Sequence, residues 1–521
     1  MSIDTGIMDT AHCDLNQTGR LSAIAKDGSP GSSDHSGDPS AILPYGDRDL
    51  SWLSFNERVL WEARDQSLPL YDRVKFLAIF SSNLDEFFRV RVASIRSLLD
   101  LDKNSRKNLG LNTKALLSEI HQTVLTQQVE FGRIYHDQIL PGLESGGIYL
   151  HNAILDDKKH ATFIRNYFRE EVMPFVNPNL LQKGRIIHFL RDKALYLAVR
   201  MHPRSKTGAQ KTGKGLRKRT CYALVEIPTH YCPRFLELPG SETRHDIVFL
   251  DDVIRSYLDE IFPGYMVKDA YCIKLSRDAD LQIEDEFAGD LAEKVSQSLA
   301  KRRIGAPARF LFDQSMPESM VKYLKEAFQL SNEDAMPGGR YHNFSDFFNL
   351  PNPRTPLLQS PGMQRLPHPA FDHDLSMFGP IAEKDRLLHF PYHRYDYVLR
   401  FLNEAALDPA VEEIKTTQYR VAANSGIVSA LIRAARNGKN VTVFVELKAR
   451  FDEAANLQSA ADMKAAGVRV IHSLPGLKVH AKIALIKRRE EGRSRSYAFL
   501  STGNFNETTA RNYADHGLMT A

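Results

Sequence analysis

The stretch GLKVHAK at residues 476–482, with STGN at residues 501–504, is the most informative part of this sequence. Side chains in a β-strand repeat every second residue, so we expect Lys478, His480 and Lys482 to share one face. The alternate positions should face the core: Val479, Ala481 and Ile483. Two ammonium groups beside an imidazole suit a phosphate group and should lower the pKa of His480, leaving it neutral and nucleophilic. The alternative is the solvent face of an edge strand, where lysine is common.

Composition indicates an ordinary soluble protein of several domains. The chain has 521 residues, of which 43% are hydrophobic and 25% charged. Domains average ~150 residues, which predicts about three. No run of about 20 apolar residues supports a membrane span, and we expect a cytoplasmic location. Four cysteines without a C-x-x-C pair argue against a zinc site or a disulfide framework. Any metal should therefore be bound through oxygen.

Positive charge is concentrated in the last fifth of the chain. Residues 411–521 contain 17 Lys plus Arg and 10 Asp plus Glu, a net charge of +7. The whole chain carries +4, so residues 1–410 carry −3. Such a surface attracts nucleotide phosphates or a polyanion, and charge alone would also attract nucleic acid.

We predict four segments along the chain. Residues 1–45 are rich in Gly, Ser and Asp and predict a disordered leader. Residues 46–145 have helical periodicity, with Asn112 or Thr113 as an N-cap and with Pro141 and the glycine pair at 146–147 ending the unit. Residues 146–365 mix both periodicities and predict an α+β head domain, with loop or linker at 335–365. Residues 366–521 predict an α/β domain.

The head domain contains predicted strands at 194–201, 221–228 and 246–252 and a helix at 289–303. The segment between the first two strands, 205–219, is one residue short of a Walker A motif. A P-loop must open a helix, whereas a strand is predicted to follow here, so we interpret this segment as a basic hairpin loop.

From Ala382 onward, strands and helices alternate. We expect one helix capped near Ser425 and closed at Gly438, and a second ending at Gly467. Arg420 and Arg450 each follow a predicted strand. Open α/β sheets bind ligands at the carboxyl edge of their strands, so both guanidinium groups and His480 should converge on one anion. The alternative for either arginine is a structural ion pair with Glu446 or Asp452.

His-x-Lys followed by a small-residue turn ending in Asn resembles the half-site of the phospholipase D superfamily, whose histidine is transiently phosphorylated. The superfamily's phosphodiesterases place Asp where this chain has Lys487. That departure resembles polyphosphate kinase of the long bacterial type. The resemblance extends through DLSWLSFNERVLWEA (49–63), SSNLDEFFRVR (81–91), YALVEIPTHYCPRFLELP (222–239), FPYHRYDYVLRFLNEAALDP (390–409), KTTQYRVAANSGIVSALIRAARNGKNVTVFVELKARFDEAANLQ (415–458) and LSTGNFNETTARNYADHGLMTA (500–521).

The resemblance implies a phospholipase D-like α/β fold for residues 366–521 and transfer of the ATP γ-phosphate to polyphosphate through a phosphohistidine at His480. It implies Mg²⁺ as cofactor, ATP/ADP and inorganic polyphosphate as partners, a homo-oligomer, and no nucleic-acid partner. The implied contacts are ATP-binding Asn83 and Tyr513, phosphate-binding Lys478, Lys482, Arg420 and Arg450, and a metal site at Arg420 and Arg450. Guanidinium cannot ligate a cation, so the arginines should hold phosphate oxygens.

The family continues beyond this sequence with a second, similar α/β domain that supplies another histidine and arginine. We therefore expect residues 366–521 to be an incomplete catalytic domain and this chain alone to make little polyphosphate. Two other functions stay open. One is a phospholipase D-like phosphodiesterase, and the other is an inactive or polyanion-binding fragment.

Overall fold

The computed structural model describes residues 46–100, 112–152, 157–182, 190–204, 220–279, 291–302, 307–372, 376–422, 424–472 and 477–521. The predicted leader at 1–45 and the basic loop at 205–219 lie outside these residues. In the described part, no helix has the length and apolar character needed to cross a membrane.

The N-terminal region is helical, as the sequence predicts. Its helices are α1 (Arg48–Arg64), α2 (Leu70–Phe87), α3 (Ala93–Ser97), α4 (Thr113–Ile134) and α5 (Leu140–Ser145). The side chain of Asn112 caps α4 by accepting from the Ala115 backbone N–H at 3.3 Å, which confirms that cap. Pro141 does not end the helical unit, because it lies in α5, which continues directly from the π segment Tyr135–Ile139. Gly147, with φ of +79°, follows the end of α5.

The later helices are α6 (Lys158–Tyr167), α7 (Leu250–Ser256), α8 (Leu258–Ile261), α9 (Leu291–Arg302), α10 (Glu318–Phe328), α11 (Pro369–Asp372), α12 (Phe378–Glu383), α13 (Asp396–Leu407), α14 (Gly426–Arg436) and α15 (Glu453–Ala465). Short π and 3₁₀ segments extend several helices, among them the π segment Phe88–Val92 after α2.

Two sheets lie in the middle of the chain. Their strands are β1 (Ile148–His151), β2 (Pro178–Leu181), β3 (Leu195–Pro203), β4 (Cys221–Glu226), β5 (Phe235–Glu237), β6 (His245–Phe249), β7 (Tyr265–Arg277), β8 (Pro307–Asp313) and β9 (Ala335–Gly338). The order is β1-β6-β5 in one sheet and β2-β4-β3-β7-β8-β9 in the other. This mixture of helices and sheets is the predicted α+β arrangement.

Two predictions for this region need correction. The strand predicted over 246–252 ends at Phe249, because the next residues, including buried Asp251 and Asp252, begin α7. The segment 335–365 is not only loop: β9 pairs in parallel with β8, and Phe347 in a 3₁₀ turn is buried with the helical region's core. The short strand and the buried phenylalanine are difficult to recognise in the sequence because polar and proline-rich residues flank them.

The C-terminal region forms a seven-stranded mixed sheet. Its strands are β10 (Arg386–Phe390), β11 (Val411–Gln418), β12 (Asn440–Val445), β13 (Arg469–His472), β14 (Lys482–Glu490), β15 (Arg493–Ser501) and β16 (Asp515–Thr520), in the order β10-β16-β15-β14-β11-β12-β13. Strands β11, β12 and β13 are parallel and are joined through α14 and α15. Ser425 caps α14, and both Gly438 and Gly467 adopt positive φ after their helices, as expected.

One helix of the middle region belongs to the core of this sheet. Val295 of α9 is completely buried among residues of the C-terminal region, and Ala292 and Leu299 pack against the same core. The amphipathic spacing of these residues gives α9 an apolar side, and α9 packs against α15 of the C-terminal region. The α/β layer is therefore completed by a helix that precedes it by many residues in the chain.

Candidate active site

The sheet topology brings the predicted phosphate-binding residues to one edge. β11 and β12 are parallel, so their carboxyl ends meet there, and Arg420 and Arg450 follow those ends. β14 is antiparallel to β11 and begins at the same edge. His480 lies two residues before Lys482, the first residue of β14. The expected convergence of the strand ends is present.

The predicted strand around His480 begins later than expected, and its sides were wrongly assigned. Residues 477–481 precede the strand, Ala481 is exposed, and Ile483 is 38% exposed rather than in the core. Lys482 is only 5% exposed because it points to the same side as buried Ala484. Exposed and buried side chains do alternate along this segment, but Lys482 lies on the buried side at the end of the sheet.

His480 and Lys482 are in direct contact. The Lys482 Nζ lies 3.0 Å from the His480 Nε2. An ammonium group only donates, so Nε2 is the acceptor in this contact and carries a lone pair. Partial desolvation, then the charges of Lys482 and Arg420, lower the pKa of His480 below its ordinary value. The predicted direction is confirmed, although desolvation is the larger cause.

Tyr419 joins this cluster and was not singled out in the sequence. Its ring meets the His480 ring edge-to-face, with centroids 5.0 Å apart and planes at 85°. The Lys482 Nζ and the Arg420 Cζ lie 5.5 and 5.8 Å from its centroid. An aromatic residue beside an arginine at a strand end was the available signal. Tyr419 limits the directions in which the imidazole can turn.

The two arginines have different surroundings. The Arg420 Nη1 donates to the Asp452 Oδ2 at 3.1 Å, so the ion pair considered from the sequence exists. Arg450 lies in the loop between β12 and α15, and the next residue, Phe451, adopts a positive φ of 74°. The Phe451 ring lies 4.8 Å from the guanidinium carbon of Arg89, in the helical region. The Arg450 loop thus contacts the N-terminal part of the molecule.

Two further side chains hold the His480 segment. Thr417 Oγ1 donates to the Ala481 carbonyl at 2.7 Å and accepts from the Ile483 N–H at 3.0 Å. Glu446 is 1% exposed, and its Oε2 accepts from the Val479 N–H at 3.0 Å. The sequence had offered Glu446 only as a partner for arginine, since nothing in it reveals a main-chain partner.

The STGN turn packs against β16. Thr502 Oγ1 donates to the Asp515 Oδ1 at 2.8 Å, and the Asp515 carboxyl group would be 2.4 Å from a Cβ at Gly503. Only glycine leaves room for this approach. Burial is the main cause that lowers the pKa of Lys482, and the charge of Asp515 opposes this by raising it. The turn therefore places a carboxylate near the buried lysine.

The structure does not bring every predicted site residue together. Asn83 is buried in α2, where its Nδ2 donates to the Asn56 Oδ1 at 3.0 Å. Tyr513 is half-buried in the segment between the 3₁₀ turn Thr509–Arg511 and β16. Lys478 is exposed beside His480 in the chain. The ATP contacts proposed for Asn83 and Tyr513 have no direct geometric support from these positions.

The described residues do not form a protein cage for Mg²⁺. They contain no group of three or more His, Cys, Asp or Glu side chains placed to hold a metal. Arg420 and Arg450 can only donate hydrogen bonds, so they fit phosphate oxygens rather than a cation.

Comparisons with known proteins agree over most of the chain. Family models match in succession: the polyphosphate kinase N-terminal domain at 45–151, the middle domain at 159–350 and the C-terminal domain 1 at 376–521. Polyphosphate kinases of Yersinia pestis and Escherichia coli (strain K12) are each 41% identical, with 92% of this chain and 68% of the relative covered. The crystal structure of polyphosphate kinase from Porphyromonas gingivalis matches with 43% identity and a TM-score of 0.74, covering 92% of this chain and 67% of that one.

Proposed function

The chain belongs to the polyphosphate kinase family, and we propose that it transfers the γ-phosphate of ATP to the end of a polyphosphate chain through a phosphohistidine at His480. The observation that carries the mechanism is the 3.0 Å contact between Lys482 Nζ and His480 Nε2. This contact supports the proposal, because an unprotonated ring nitrogen would then lie beside a cation at the sheet edge where the two arginine loops meet. Nucleophile and phosphate-binding charge are therefore adjacent.

In the first step, the lone pair of His480 Nε2 forms a bond to the γ-phosphorus while the bond from that phosphorus to the β–γ bridging oxygen breaks. The electron pair of the broken bond stays on that oxygen, which leaves as a terminal oxygen of ADP. In the second step, a terminal oxygen of polyphosphate attacks the same phosphorus, and the P–N bond breaks to restore neutral His480. Each step is reversible, since the same groups act in both directions.

The cations supply charge stabilisation rather than proton transfer. Phosphoryl transfer depends mainly on in-line positioning and on neutralising the equatorial oxygens. Lys482 can exchange its contact with Nε2 for one with a phosphate oxygen when substrate arrives. Arg420 and Arg450 provide planar donor pairs that match two phosphate oxygens. The lowered pKa of His480 keeps the imidazole neutral at pH 7.

Magnesium is proposed to enter as part of the Mg·ATP substrate. When bound, the ion would neutralise phosphate charge. Asn83 and Tyr513 remain proposed contacts of the nucleotide. Lys478, which is exposed next to the His480 segment, is proposed to meet a phosphate of the bound substrate.

The test is incubation of the 521-residue protein with γ-labelled ATP and Mg²⁺. Wild type should incorporate label that is acid-labile and base-stable, and His480→Ala should incorporate none. His472→Ala is a matched control, because His472, in β13 of the same sheet, also has its Nε2 in contact with a lysine, the Lys464 Nζ of α15 at 2.8 Å. Equal labelling of His480→Ala and wild type would overturn the assignment. Cleavage of a phosphodiester without ATP would instead favour the phosphodiesterase alternative.

A further inference from the structure

Glu446 is a buried carboxylate that the reaction above does not use. It follows the last residue of β12 and has 1% of its surface exposed. Both carboxylate oxygens accept main-chain hydrogen bonds: Oε1 from the Lys448 N–H at 2.9 Å and Oε2 from the Val479 N–H at 3.0 Å. One side chain therefore bridges the loop that follows β12 and the segment that carries His480.

The His480 segment depends on such support because it lies outside the sheet. The first residue of β14 in the strand ladder is Lys482, which pairs with Ser501. Before it, Glu446 holds Val479 on the N-terminal side of His480. On the other side, Thr417 holds Ala481 and Ile483. The imidazole is thus carried by a short piece of irregular chain fixed at both ends by side chains.

Glu446 also touches the loops that carry the arginines. Its carbonyl accepts from the Asn456 Nδ2 at 2.8 Å, and the same Nδ2 donates to the Tyr419 carbonyl at 2.8 Å, next to Arg420. The Lys448 N–H that it binds lies two residues before Arg450. The nucleophile segment and both arginine loops consequently share this one residue.

We propose that Glu446 is a positioning residue that sets the distance between His480 and the two arginines. This inference rests on the proposed function, because it assigns Glu446 to the geometry of that phosphoryl transfer. In-line attack requires the reacting atoms at about 3–3.5 Å, and a displacement of ~1 Å can cost on the order of a hundredfold in rate. Loosening Val479 should move His480 while leaving both arginines available for the nucleotide.

The informative substitution is Glu446→Gln. Glutamine has one acceptor oxygen and an NH₂ group, so one of the two main-chain N–H groups would face a donor. Glu404→Gln is the matched control. Glu404 is likewise a carboxylate that accepts a main-chain N–H, that of Met377 at 2.6 Å, but it lies on α13.

At saturating ATP, Glu446→Gln should lower the rate of His480 phosphorylation at least tenfold, with KM for ATP within about twofold of wild type. Glu404→Gln should keep the wild-type rate per folded molecule. A wild-type rate in Glu446→Gln, or equal losses in the two variants, would overturn the positioning role. If Glu446→Gln does not fold, Glu446→Asp carries the same comparison, since it keeps both acceptors but shortens their reach. Absence of label in wild type would contradict the proposed function instead.

Discussion

Two clusters of cations in this molecule use charge differently. At the junction of the helical region and the six-stranded sheet, Lys274 is 2% exposed and donates to Asp85, and Arg309 is 3% exposed with its Nη1 4.0 Å from the same carboxylate. At the edge of the seven-stranded sheet, by contrast, His480 is exposed beside a buried lysine. In the first cluster, the cations neutralise an acid in the wall of a cavity of about 420 Å³. The second cluster opens on solvent around a group that can titrate.

The pKa directions express the same difference. Although burial opposes it, the charges of Lys274 and Arg309 hold the pKa of Asp85 below its usual value, and burial lowers the pKa of Arg309 to about 10. At the open edge, desolvation and cations favour the neutral form of His480. The junction should therefore respond to substitution in stability, and the sheet edge in activity.

The largest expected effect is at the junction. Lys274→Met removes the ammonium that Asp85 accepts from and leaves a buried carboxylate, which should cost about 3–5 kcal/mol of unfolding free energy. Urea denaturation measures this loss, and phosphotransfer per folded molecule should stay at the wild-type level. The double variant Asp85→Asn/Lys274→Met should recover part of the stability. If Lys274→Met instead lowered phosphotransfer per folded molecule while stability stayed unchanged, the two clusters would not differ in the way proposed.

Arg420→Lys and Arg450→Lys test the open edge. Each keeps the charge but loses the planar fork, so activity should fall more than tenfold, about 1.4 kcal/mol of transition-state stabilisation. The melting temperature should barely change. Arg488→Lys is the control, because Arg488, in β14 of the same sheet, pairs with Asp408 at 2.7 Å. Lower melting temperatures with normal activity per folded molecule would make the two site arginines structural.

Asn83→Ala tests whether Asn83 contacts the nucleotide or only stabilises the helical region. Removing the amide leaves the buried Asn56 Oδ1 without the donor at 3.0 Å, which should cost about 1 kcal/mol. The proposed ATP contact adds a second expectation, a higher KM for ATP. Thermal unfolding and steady-state kinetics separate the two effects. An unchanged KM would remove Asn83 from the nucleotide site and leave it a structural residue.

The smallest expected effect is a change in pH dependence. The phosphorylation rate should fall as pH drops through the pKa of His480, which lies below its ordinary value. Lys482→Met removes one of the causes, so the acidic limb of kcat/KM should move to higher pH by less than about one unit, because desolvation remains. Lys464→Met, beside His472, should leave the limb in place. A limb that moves to lower pH would contradict the proposed electrostatics.

The sequence predicted the elements and the meeting of His480 with Lys482, because period-two spacing places i and i+2 on one side even where the strand has not begun. It predicted the wrong side as the buried one. Which side is buried depends on the sheet edge, where Lys482 rather than Ile483 turns inward. Glu446 and Thr417 could not be assigned either, since their partners are main-chain atoms of a segment far away in sequence. Tyr419 is marked in the sequence only as an aromatic residue beside an arginine at a strand end, and its contact with His480 follows from the pairing of β11 with β14.

The helix α9 limits where this protein can be divided into fragments or joined to a relative in a chimera. Its Val295 completes the core of the C-terminal sheet although the intervening chain includes β8, α10 and β9. A C-terminal fragment that starts after α9 would present an uncovered apolar surface to water. In chimeras between relatives, α9 should be inherited with the C-terminal sheet rather than with the strands that surround it in sequence. The unit of exchange is defined by packing, and it is discontinuous along the gene.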